Sequence, residues 1–139
     1  MIKTLAALML GLLLALAVPA QLSADEPVNS TFLADLAIHG YDPVAYFIQE
    51  EAVEGLGDYE FEWNGTTWRF ASEQHRAMFM ENPEKYAPAY GGYCAWAVAQ
   101  GYTADVDPTA WKIVNGRLYL NYDHDIQQKW ERNHVLPPV

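Results

Sequence analysis

DYEFEWNGTTWRFAS, residues 58–72, alternates large apolar and polar side chains on both sides of Asn64-Gly65. Asn-Gly is the favoured pair for a two-residue hairpin turn, because both positions need positive φ to follow the twist of the flanking strands. A turn there sets Phe61 opposite Trp68 and Tyr59 opposite Phe70 on one face. On the other face Glu60 meets Arg69, a compatible cross-strand charge pair. AWKIVNGRLYLNY, residues 110–122, repeats the design around Asn115-Gly116, with Ile113 facing Leu118 and Trp111 facing Leu120. Two such hairpins predict one small antiparallel sheet, buried on one face and wet on the other.

Short helices fill the gaps. Ser72 is placed to cap EQHRAMFMEN, with Met78 and Phe79 on the buried side and Pro83 closing the segment. YCAWAVAQG, residues 93–101, is alanine-rich and ends at Gly101, a good C-terminal cap. Asp123 caps HDIQQKWERNH, where Ile126 and Trp130 share a face at i,i+4. Asp42 caps a turn with Pro43 at its first position, where a missing N–H costs nothing. Residues 32–38 read as a short helix or strand, and residues 49–58 as an acidic loop. The expected fold class is therefore α+β, with short helices packed on an antiparallel sheet built from the two Asn-Gly hairpins.

The first two dozen residues belong to a different problem. Lys3 precedes an apolar run, residues 5–20, followed by two small-residue cleavage patterns, Val-Pro-Ala and Leu-Ser-Ala. That is the layout of a secretory signal peptide over residues 1–24; the competing reading is an uncleaved N-terminal anchor. Residues 25–37 then read as a linker, and residues 38–139 as a single domain. Cleavage removes 24 of the 139 residues and leaves 115, enough for one modest core. It also leaves seven basic residues, the eight less Lys3, against 18 acidic ones, a net charge of −11. Such a balance excludes nucleic acid as a partner and suits a periplasmic or secreted protein with no stable membrane insertion after cleavage.

Cys94 is the only cysteine in the chain, so the domain stands without an internal disulfide. It follows a Tyr-Gly-Gly-Tyr cluster at the start of an alanine-rich run. In the first turn of a helix a thiol feels the positive end of the dipole, which favours the thiolate that binds soft metals or attacks electrophiles. Free cysteine is also among the most buried residue types, so a core plug is the plain alternative. His75 is a ligand if its helix faces Cys94 and an ordinary surface residue beside Arg76 if it does not. Asp123, His124 and Asp125 form a polar cluster that a helix start explains by itself, and His39 beside Gly40 reads as a turn residue. GxSxG, HExxH, CxxC, the P-loop and GxGxxG are all absent, and no acid-base set announces itself.

GYDPVAYF, WRFASEQHRAMFMENPEKYAPAYGGYCAWAVAQG and NGRLYLNY together resemble the YHS domain family in its exported bacterial branch, over about residues 39–130. The resemblance implies a small α+β fold. It also implies kinship with heavy-metal transport and sensing proteins, whose pattern places a cysteine after Asp-Pro-Val and two more in Phe-Cys-Ser-x-x-Cys. In this chain those three places hold Ala45, Ala71 and His75, so a metal bound at Cys94 uses a different site. The expected function is a non-enzymatic domain binding a small ligand, foremost copper, with Cys94 as principal donor and His75 as second. Copper(I) is content with two such donors where zinc asks for four. The alternatives are a structural or adaptor module for another envelope protein, with Cys94 buried in the core, and a Cys94-dependent thiol enzyme.

Overall fold

The computed structural model describes residues 27–133. The expected signal peptide, the start of the linker, His134 and the closing Leu-Pro-Pro-Val lie outside the described residues. The elements run in the order α1 (Ala45–Ile48), β1 (Leu56–Trp63), β2 (Thr66–Phe70), α2 (Glu73–Glu81), α3 (Pro83–Tyr86), α4 (Ala95–Ala99), β3 (Asp107–Val114), β4 (Arg117–Asn121) and α5 (His124–Asn133). Short 3-10 turns occupy Ile38–Gly40 and Ala89–Gly92. The class is α+β.

Both hairpins form where the Asn-Gly pairs predict. Asn64 and Gly65 sit at φ 52° and 79°, Asn115 and Gly116 at 50° and 77°, the double positive-φ geometry that the strand twist requires. Phe61 pairs with Trp68, Glu60 with Arg69, Ile113 with Leu118 and Trp111 with Leu120. Beyond Glu60 the first register departs from expectation: a bulge brings Leu56, and not Tyr59, opposite Phe70.

The larger correction is that the hairpins form two separate two-stranded sheets. The outer edge of β2 is taken by the N-terminal segment, through Ala37 N–H to Thr67 O at 2.9 Å and Thr67 N–H to Asp35 O at 3.0 Å. The middle of that edge is therefore already paired and does not join the second hairpin. The two sheets meet instead through their apolar faces, Trp68 and Phe70 from one and Leu118 and Leu120 from the other, in a core shared with Tyr46, Phe79 and Cys94. Residues 32–38 are neither the helix nor the strand expected, but a turn, two bridge residues and the start of a 3-10 turn.

A second departure concerns β4, whose expected wet face is covered. Tyr119 points away from Leu118 and Leu120 and packs its ring 5.1 Å from that of Trp130 on α5, in a small second cluster with Ala89 and Ala95. The helix caps follow the sequence. Ser72 accepts from His75 N, and Asp123 accepts from Ile126 N at 2.7 Å. The N-terminal segment is seated by Gly91: a Cβ there would lie 2.0 Å from Pro27 O, and its φ of +62° also disfavours any L side chain.

Candidate functional site

Asp42 and His75 form a deeply buried polar centre. Asp42 is fully buried, and both of its carboxylate oxygens are used twice. Oδ1 accepts from Val44 N at 2.8 Å and Ala45 N at 3.2 Å; Oδ2 accepts from Ala71 N at 2.9 Å and meets His75 Nδ1 at 2.6 Å. Four acceptor sites with four partners exhaust an ionised carboxylate. With Asp42 as the acceptor, Nδ1 of His75 carries the shared proton. The centre ties the loop before α1 to the junction of β2 and α2. His75 is thus buried and paired, not a surface residue beside Arg76.

Ala45, Ala71 and His75 occupy the three places in which the resemblance expects thiolates. The methyl groups of the two alanines donate nothing, and one ring nitrogen of His75 is committed to Asp42. Those residues do not fit a three-thiolate metal set. Among the described residues, no group of three or more His, Cys, Asp or Glu side chains is placed to hold a metal ion.

Cys94 lies just before α4, one residue earlier than the helical turn expected, and its backbone N–H donates to Ala104 O at 2.9 Å. The helix it precedes has only five residues, and the thiol makes no capping bond to it. Sγ donates instead to Asn121 Oδ1 at 3.6 Å, and the same oxygen accepts from Trp96 N at 3.0 Å. With 1% of its surface exposed, Cys94 is a member of the main core. Cys94 and His75 are therefore engaged by different partners, Asn121 and Asp42. Asn121 is a residue that reading along the chain passes over; its signal is a polar side chain closing the apolar strand Leu-Tyr-Leu.

His39 and His124 sit in two separate polar groups on the surface. His39 Nε2 and Asn29 Nδ2 each lie 2.8 Å from Asp105 Oδ1, which also accepts from Val106 N. Partial burial pushes the Asp105 carboxyl up, but the bonds from Asn29, Val106 and His39 outweigh it and hold the group below the ordinary carboxylate value. Asp107 is held low by the backbone N–H and hydroxyl of Thr109, whose Oγ1 also meets His124 Nε2 at 2.9 Å. His39 does sit in a turn, with φ 52°.

Concavities open on the surface of the described residues. One of about 590 Å³ is lined by Pro27, Val28, Phe32 and the Asn64-Gly65 turn. Another, of about 280 Å³, lies across the Pro27-Val28 segment and is walled by Trp63, Tyr90, Glu84 and Arg117. The third, of about 580 Å³, is floored by Tyr46, Phe47 and Trp111, and its rim charges Lys112 and Glu131 are already paired at 3.3 Å.

Compared with family models, with curated proteins and with solved structures, the chain matches none.

Proposed function

We propose that this chain is an exported, non-enzymatic YHS-like module that docks onto another envelope protein, with Cys94 serving the core. The observation that carries the docking is the pair Phe32 and Leu33, 98% and 93% exposed side by side at the tip of a turn. The turn is held by Asp35 N–H to Thr31 O at 2.8 Å, Thr31 N–H to Leu36 O at 3.0 Å and Leu36 N–H to Thr31 Oγ1 at 3.1 Å. It is tied to β2 through Asp35 and Thr66. Two large apolar groups held out on a braced turn present a preorganised anchor, with little ordering left to do on binding. The chain's net charge of −10 calls for a partner whose apolar pocket has a basic rim.

The test is a photocrosslinking side chain at position 32 in intact cells, with exposed Gln100 as the control position. A single partner adduct specific to position 32 is expected. The purified partner should then hold the Phe32→Ser/Leu33→Ser protein at least roughly a hundredfold more weakly, given the transfer free energy of two such side chains. Equal labelling at both positions, or undiminished affinity of the double variant, counts against docking here.

Copper(I) held by Cys94 and His75 is the competing reading. It predicts one tightly bound copper(I) per chain, lost in Cys94→Ala; the docking reading predicts no difference between the two proteins. A thiol enzyme predicts rapid labelling of native Cys94, whereas a core cysteine labels slowly until the protein unfolds.

A further inference from the structure

The 280 Å³ cleft beside Pro27 carries chemistry that neither docking nor the core requires. We propose that it binds a free α-amino acid as its zwitterion, carboxylate on Arg117, ammonium on Glu84 and an apolar side chain against Trp63 and Tyr90. Four observations converge on it. First, Arg117 and Glu84 wall the same cleft yet form no ion pair with each other, and neither has another ion-pair partner among the described residues. Elsewhere in the described chain Arg69, Arg76 and Lys112 are each paired with a glutamate, and Lys85 and Lys129 lie over the rings of Tyr86 and Trp96. Two opposite charges that line one cleft without pairing match a ligand that carries both.

Second, Tyr90 is a bulky residue at φ +59°, a left-handed conformation that costs free energy and persists only where surrounding structure enforces it. That conformation places Tyr90 on the cleft wall, with its ring centroid 6.1 Å from that of Tyr119 behind it. Third, Trp63 is half-buried and packed against Trp68 and Phe79 at 5.8 and 5.7 Å between ring centroids. Its ring is thus a rigid surface for an apolar group.

Fourth, size and charge restrict the ligand. A cleft of about 280 Å³ lies at the bottom of the usual range for small-molecule sites, which admits an amino acid and little more. The net charge of −10 repels simple anions from the whole surface, while a zwitterion has no net charge to be repelled. The cleft shares Pro27, Val28 and Asn64 with the concavity beside Phe32, but neither Phe32 nor Leu33 lines it, so the titration tests this inference apart from the docking.

The experiment is a titration of the purified protein with L-phenylalanine, followed by tryptophan fluorescence and calorimetry. 3-Phenylpropionate, which lacks the ammonium, and phenethylamine, which lacks the carboxylate, are run beside it. L-Phenylalanine should bind saturably, and each analogue about tenfold or more weakly, as expected for losing one charge-assisted hydrogen bond. Arg117→Gln should erase the preference over phenethylamine, and Glu84→Gln the preference over 3-phenylpropionate. Both side chains are exposed, so neither variant disturbs the fold. Absence of saturable binding, equal binding of all three compounds, or unchanged selectivity in the two variants overturns the proposal.

Discussion

Replacing Asp42 by alanine is the sharpest test of how this molecule is held together. The substitution removes four hydrogen bonds at once, from Val44 N, Ala45 N, Ala71 N and His75 Nδ1, all converging on a side chain with no exposed surface. Hydrogen bonds to a charged group contribute about 1.5–3 kcal/mol each, and an unsatisfied buried donor costs about 1–3 kcal/mol. The four do not add, because they share one acceptor and water can enter the gap. Breaking one buried charged partnership typically costs about 3–5 kcal/mol, and we expect Asp42→Ala near 4 kcal/mol on that scale. This is a large part of the roughly 5–15 kcal/mol that holds a domain of this size. Urea unfolding should show the midpoint falling by about 2 to 3 M with an unchanged slope. A double-mutant cycle with His75→Ala isolates the 2.6 Å contact, and a coupling of more than about 1 kcal/mol is expected. A loss below about 1 kcal/mol for Asp42→Ala, or no coupling to His75, refutes the assignment of this pair as the link between the α1 loop and α2.

Two further outcomes follow from the geometry. Gly91→Ala forces a Cβ to within 2.0 Å of Pro27 O at a φ of +62°, so about 1–3 kcal/mol of stability should be lost and limited proteolysis should begin in residues 27–36; unaltered protection of that segment contradicts the close approach. Asp105 and Asp107 have folded values held below 3.8, so their stabilisation is fully present above that value and is lost as pH falls through the lower folded values. The urea midpoint should therefore fall below about pH 4, less steeply in Asp105→Asn, and an identical acid profile in wild type and variant contradicts the network around His39.

The candidate site was legible only in part. Asp42 reads from sequence as a turn cap, and it is one, through Val44 N and Ala45 N. Its other two partners, Ala71 N and His75, lie 29 and 33 residues away, and no local pattern announces such a contact. The same holds for Cys94 and Asn121, 27 residues apart, and for the cleft that gathers Trp63, Glu84, Tyr90 and Arg117 from four segments. Conversely, the loss of the metal pattern is legible in the sequence alone, because the side chains of Ala45 and Ala71 carry no donor atoms wherever the fold puts them.

What the chain determines by itself is everything set by neighbours in sequence. The two Asn-Gly turns, the pairing of Phe61 with Trp68 and Ile113 with Leu118, and the Ser72 and Asp123 caps all depend on backbone conformation and side chains a few residues apart. Tertiary structure alone decides that the hairpins stay separate sheets, because the edge of β2 is claimed by residues 35–37. It also decides that β4 is covered on both faces, since α5 must first fold back to lay Trp130 on Tyr119. Strand pairing and face burial compete among distant segments for the same hydrogen-bonding edges and apolar surface. Only the assembled core settles which segment takes each.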